Sequence, residues 1–141
     1  MPTTTLTRRV TFAAAHRYRR PEWDDARNAA AFGPCARLNF HGHSYVCDVT
    51  VRGPVDPLTG FVIDLGLLDR ALQVEVRDVF DHRNINLDVP EFADGLLVPS
   101  GENLARFILD RVQRALGSAG MVTTVSVAED ATLSATYSID P

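Results

Sequence analysis

Lysine is absent from this chain, and all fourteen of its cationic side chains are arginine. That absence removes any mechanism in which a lysine amine forms a Schiff base with a carbonyl substrate. Cysteine is scarce, with only Cys35 and Cys47, so no disulfide framework holds the fold and the expected compartment is a reducing cytoplasm. No stretch approaches the roughly 18 apolar residues of a membrane span, and no amino-terminal segment has signal-peptide form. A soluble, cytoplasmic protein with no membrane partner is therefore expected. Positive charge is not in excess either. Eighteen acidic residues outweigh the arginines and leave a formal net charge of −4, which argues against a general nucleic-acid binder.

What is present is the material of one domain. A chain of 141 residues with 45% apolar content can bury its own core, and residues 1–141 read as a single unit without internal repeats. Residues 6–16 alternate as a strand with Val10, Phe12, Ala14 and His16 on one face. Residues 17–40 hold Pro21, Asn28, Gly33 and Pro34 and read as a long loop with room for a short helix. Residues 42–52 form the next strand, where Tyr45, Cys47, Val49 and Val51 share the parity of His41 and His43. After a turn over 53–60, Phe61, Val62 and Ile63 read as a short strand completing a hairpin. Asp64 is a good N-cap for a helix of about four turns carrying Leu65, Leu68, Leu72, Val76 and Val79. Ser100 caps a second helix with the stripe Leu104, Phe107, Ile108, Val112 and Leu116, which Gly117 ends. Residues 122–129 and 132–139 alternate as a closing pair of strands. The order predicts an α+β fold, an antiparallel sheet with two helices on one face.

The chemistry-bearing residues cluster in type rather than in sequence. His41 and His43 are two apart on a strand, so they share a face with Cα atoms about 7 Å apart and can converge on one ion. A structural, hydrogen-bonded pair is the alternative. His16 ends the other strand on its inward face, and spacing alone leaves open whether it meets them. Three neutral imidazoles would suit zinc and leave a fourth position for substrate or water. Cys35 sits in the loop Gly33-Pro34-Cys35-Ala36-Arg37, as either a small buried side chain or a thiol whose pKa a nearby cation lowers. Cys47 lies about 13 Å along the strand from His43 and reads as packing. Asp81-His82 is either a surface pair or a carboxylate orienting a proton carrier. Glu129 continues the inward parity of Val125 and Val127, as an exposed strand end or as a buried carboxylate aimed at N–H groups of a flat heterocycle. Glu102 belongs to the first turn of its helix, where negative charge is favoured.

In order along nearly the whole chain, these residues resemble a known family. The segments are Phe12-Ala13-Ala14-Ala15-His16, Cys35 through His41-Gly42-His43-Ser44-Tyr45, Gly60-Phe61-Val62-Ile63-Asp64, Asp81-His82-Arg83-Asn84, Pro99-Ser100-Gly101-Glu102-Asn103 and Val127-Ala128-Glu129. Together they are similar to the 6-pyruvoyl-tetrahydropterin and 6-carboxytetrahydropterin synthases. The resemblance implies a tunnelling fold whose monomers assemble into a β-barrel as a homo-trimer or homo-hexamer, with pockets shared between subunits. It implies Zn2+ on His16, His41 and His43, with Cys35, Asp81 and His82 as the catalytic set. Glu129 would anchor a pterin ring, with Glu102 and Ser100 beside it, and the implied substrate is 7,8-dihydroneopterin triphosphate. Arg17, Arg19 or Arg20 are candidates to hold the triphosphate.

Within that family, five residues between Cys35 and His41, and the segment 84–92 after Asp81-His82, look more like the pyruvoyl-forming branch. The expected reaction is elimination of triphosphate to give 6-pyruvoyl-tetrahydropterin. The alternative is the carboxy-forming reaction, which releases acetaldehyde from the same substrate. Two departures from the pattern stand out: Ser100-Gly101 stands where Thr is common, and Asp130 follows the glutamate where Thr is common. Outside the family, the same residues are compatible with a non-catalytic zinc-containing pterin- or purine-binding module. A zinc hydrolase is a further alternative, and it would not need Cys35.

Overall fold

The computed structural model describes residues 2–139. Two thirteen-residue strands form its centre, β1 (Thr4–His16) and β2 (His41–Gly53). They pair antiparallel, in a register that sets Phe12 opposite Tyr45, Ala14 opposite His43 and His16 opposite His41. The period-two alternation puts Val10, Phe12, Tyr45, Cys47, Val49 and Val51 on one face, where they are buried. The opposite face is polar, with Thr7 bonded to Thr50 and Arg9 paired with Asp48.

The loop between these strands contains α1 (Asp25–Phe32), capped by the Asp24 side chain, which accepts from the Arg27 N–H. A 3-10 turn, Gly33–Ala36, follows and carries Cys35. Two buried asparagines order this segment. Asn28 accepts from the Arg20 N–H and donates to three carbonyls, while Asn86 holds both backbone groups of Arg17. Backbone groups that a loop would leave unpaired are thereby satisfied.

The helix expected after Asp64 spans the anticipated length, with one irregularity. It runs as α2 (Leu65–Leu72), a π-helical turn over Gln73–Arg77 and α3 (Asp78–Phe80). The wider π turn delays the inward face by a residue, so Phe80 rather than Val79 follows Val76 into the core. Strand β3 (Arg83–Asn84), α4 (Ile85–Asp88) and a 3-10 turn at Pro90–Phe92 come next. Then α5 (Gly101–Leu116) starts at the Ser100 cap and ends at Gly117, whose φ of 55° suits glycine. Strands β4 (Met121–Asp130) and β5 (Leu133–Ser138) complete the chain.

The sheet order is β3-β1-β2-β4-β5. Both long helical segments cover its apolar face, and Leu68, Leu72, Val76, Leu104, Ile108 and Val112 interlock with the strands there. Two expectations are corrected. The sheet is mixed rather than antiparallel throughout, because β3 runs parallel to β1, pairing Arg83 with Ala14 and Asn84 with Ala15. Residues 61–63 form no strand: β2 has β1 on one side and β4 on the other, so no edge is left for a hairpin partner. Instead Asp56 closes a turn with Phe61 and Gly60, and Ile63 points into the core. No described helix is long and apolar enough to cross a membrane.

Candidate active site

Register, rather than sequence spacing, brings the three histidines together. Pairing of His16 with His41 across β1 and β2 places both rings on the inward face, and His43 follows one pleat away. One ring nitrogen from each lies within 4.8 Å of the others, a group that could hold a metal ion. The Nε2 atoms of His16 and His41 are 3.1 Å apart. His16 is fully buried, and its Nδ1 lies 3.1 Å from the Pro99 carbonyl oxygen and 2.8 Å from the Tyr45 hydroxyl oxygen. A carbonyl oxygen can only accept, which assigns the hydrogen to Nδ1 and leaves the Nε2 lone pair aimed at the cluster. A backbone carbonyl in this position is the usual outer partner of a ligating imidazole.

The electrostatics agree with a cation between these rings. Burial, then the charges of His41 and His43, push the His16 imidazole down to about 3. His41 is lowered too, by burial first and His43 second. Imidazoles held neutral in this way keep a ring nitrogen lone pair available to a metal ion. Among the described residues the buried Nε2 of His43 has no hydrogen-bond partner, and an unpaired buried nitrogen is costly unless something else occupies it. These residues fit a divalent metal held by nitrogen ligands.

Glu129 reaches this cluster on the inward parity of β4, buried like Val125 and Val127 before it. The β4–β5 register shifts between Ala128 and Asp130, leaving Glu129 without an opposite residue on β5. The carboxylate is 7% exposed, accepts a hydrogen bond from the Tyr18 hydroxyl, and lies 4.0 Å from His43 Nε2. Glu129, Ser100 and Glu102 line one pocket of about 210 Å3, together with Tyr18 and Ser134. Ser100 caps α5 there, and Glu102 is exposed in the first helical turn.

Cys35 is half-buried, and its carbonyl accepts from the Tyr18 backbone N–H at 2.7 Å. Burial, then the Glu129 charge, pushes its thiol pKa up. The protein's own groups thus act against the lowered pKa that was one of the two readings of this cysteine from sequence. Cys47 is fully buried in the core, as expected for packing, and its thiol is pushed up to about 12 by burial.

Asp81 and His82 do form a pair, with His82 Nδ1 3.1 Å from Asp81 Oδ2. The same carboxylate accepts from the Ala13 N–H at 2.9 Å and from Arg77 at 2.9 Å, and these contacts, led by Ala13, lower its pKa. His82 is held at a φ of 58°, unusual for a residue with a side chain, by its N–H bond to the Ala13 carbonyl. Its ring is 85% exposed at the sheet edge, where it shares an open groove of about 550 Å3 with His43, Ala13 and Arg83. The chain thus gathers Cys35, Glu129 and the three histidines but leaves Asp81-His82 on the outer wall.

The candidate arginines are already engaged. Arg17 pairs with Asp94 at 2.5 Å and lies over the Phe40 ring, Arg19 pairs with Asp25, and Arg20 pairs with Glu22. Residues missed from sequence are Tyr18, Tyr45 and Arg77. Tyr45 was legible only as an inward residue of β2, and Tyr18 carried one usable signal, its position two residues beyond His16 on the same parity.

Comparison with known proteins agrees with this geometry. Residues 5–140 match the family described as 6-pyruvoyl tetrahydropterin synthase. The 6-pyruvoyl tetrahydrobiopterin synthase of Drosophila melanogaster is 39% identical over 129 residues, covering 91% of this chain and 75% of the relative. That of Homo sapiens is 39% identical over 124 residues, covering 88% and 83%. The structure of the Caenorhabditis elegans 6-pyruvoyl tetrahydropterin synthase superposes with a TM-score of 0.90 at 34% identity, covering 99% of this chain and 98% of the other.

Proposed function

The chain belongs to the 6-pyruvoyl tetrahydropterin synthase family, and on that premise we propose that it is a zinc-dependent lyase. Its substrate is 7,8-dihydroneopterin triphosphate and its product 6-pyruvoyl-tetrahydropterin, formed with elimination of triphosphate. The observation that carries this reading is the convergence of the His16, His41 and His43 nitrogens beside a buried carboxylate, Glu129, and a thiol, Cys35.

Zinc on the three histidines would polarise the oxygens of the substrate side chain and acidify the adjacent C–H. Glu129 holds the ring by accepting from its N–H groups, with Ser100 and Glu102 at the pocket rim. Cys35, as thiolate, removes the acidified proton. His82, oriented by Asp81, returns a proton during tautomerisation, and triphosphate leaves. The exposure of His82 supports an assembly in which the groove is closed by another subunit, as a homo-trimer or homo-hexamer built into a barrel. Among the described residues the outer edge of β5, and that of β1 beyond the two-residue β3, have no partner strand, which is further support.

Incubating the purified chain with 7,8-dihydroneopterin triphosphate tests the reading. Release of inorganic triphosphate and a product with the mass of 6-pyruvoyl-tetrahydropterin are expected. Release of acetaldehyde would assign the carboxy-forming reaction instead. Full activity in Cys35→Ala would remove the thiol from the mechanism.

A further inference from the structure

The Tyr18 hydroxyl donates to Oε1 of Glu129, and among the described residues it is the carboxylate's one hydrogen-bonding partner. Tyr18 is itself firmly held. Its N–H bonds the Cys35 carbonyl, its ring packs 4.8 Å from His16 and 5.9 Å from Phe32, and Asn86 fixes the backbone of the preceding Arg17. A carboxylate oxygen has room for two donors, so the Tyr18 bond leaves acceptor sites on both oxygens while stopping the group from turning. A phenol that gives its hydrogen to a carboxylate presents only lone pairs to its other neighbours. The 210 Å3 pocket is therefore faced along this wall by acceptors from Glu129 and Tyr18 alike.

We propose that Tyr18 is the specificity-determining residue of this pocket: by fixing Glu129 it makes the wall acceptor-only, so a ring is taken through adjacent N–H groups and refused where a carbonyl stands in place of an amino group. The inference rests on the pterin reading of the pocket and names what selects the ring. A 2-amino-4-oxo ring offers its amino and neighbouring ring N–H donors to this wall. A 2,4-dioxo ring would set a carbonyl oxygen against fixed oxygen lone pairs, leaving buried acceptors unpaired. Gly101, also in the pocket lining, lets α5 lie close against β5, because a Cβ there would lie 3.3 Å from Ala135 Cβ.

The test uses the full, zinc-loaded chain and two fluorescent probes, neopterin and the 2,4-dioxo ring lumazine. The unaltered protein should prefer neopterin by on the order of a hundredfold or more. Tyr18→Phe keeps the ring packing and the backbone bond and removes only the hydroxyl. It should weaken neopterin binding by about tenfold, leave lumazine binding no weaker than before, and raise KM for the triphosphate substrate by more than it lowers kcat. Glu129→Gln is the second variant. With Tyr18 bonded to the amide oxygen, the NH2 faces the ring and the preference should swing towards lumazine. An unaltered neopterin preference in Tyr18→Phe overturns the role of Tyr18 alone, whereas an unaltered preference in Glu129→Gln, or an unaltered chain with no preference, overturns the pterin reading together with it.

Discussion

His16 and Pro99 meet at 3.1 Å, ring Nδ1 against backbone carbonyl oxygen, at the junction of β1 and the approach to α5. This contact links the fold to the chemistry. It sets the tautomer of the deepest histidine, and it ties the strand that carries His16 to the segment that starts the pocket wall at Ser100.

The acid limb of stability should report His16. Its folded pKa, about 3, lies below the ordinary 6.5, so below 6.5 the unfolded chain binds a proton that the metal-free folded chain does not. Stability is then complete above 6.5 and is lost as pH falls from 6.5 towards 3, with a slope of about 1.4 kcal/mol per pH unit for this one group. Urea unfolding of the metal-free protein at a series of pH values should show that slope, and His16→Gln should flatten it.

Thiol alkylation should follow the metal. Without a cation, burial and Glu129 hold the Cys35 pKa above its ordinary value, so iodoacetamide should react slowly at neutral pH. Zinc loading should speed the reaction at fixed pH. Equal rates with and without zinc would separate Cys35 from the metal site.

Asp81→Asn should cost activity more than stability. The carboxylate accepts from Ala13 and Arg77 and orients His82, and an amide cannot accept on both sides. A fall in kcat of about a hundredfold or more is expected if the pair moves a proton. Steady-state kinetics alongside thermal unfolding separate the two effects.

Ile108→Ala removes a fully buried side chain from the face of α5 that covers the sheet. The expected loss is about 2–5 kcal/mol, read as a lower urea midpoint. A loss below about 1 kcal/mol would mean that the helix is not seated as described.

Much of this architecture was legible in the sequence because it depends on local rules. Alternation in β1 and β2 assigned the inward faces correctly, and Asp64, Ser100 and Gly117 marked where helices begin and end. Whether His16 meets His41 could not be read locally, because strand register is set by pairing across the sheet. Phe61-Val62-Ile63 resembled a strand since burial of an apolar run does not reveal whether a free edge awaits it. Two residues, Arg83-Asn84, are too few to carry any periodicity, yet they add a parallel strand. The link between Tyr18 and Glu129 spans 111 positions, and although alternation turned Glu129 inward, no local pattern joins the two. The candidate site was therefore legible as a set of residue types, while its geometry came from register and from buried asparagines that order a loop.

The central claim, that the three histidines hold one catalytic zinc, is tested most directly by chelating the metal, then measuring triphosphate release and unfolding on the same sample. The account predicts that turnover vanishes while the fold persists, and that one equivalent of zinc per chain restores it. Turnover that survives removal of the metal, or a chain that unfolds without it, would contradict the account.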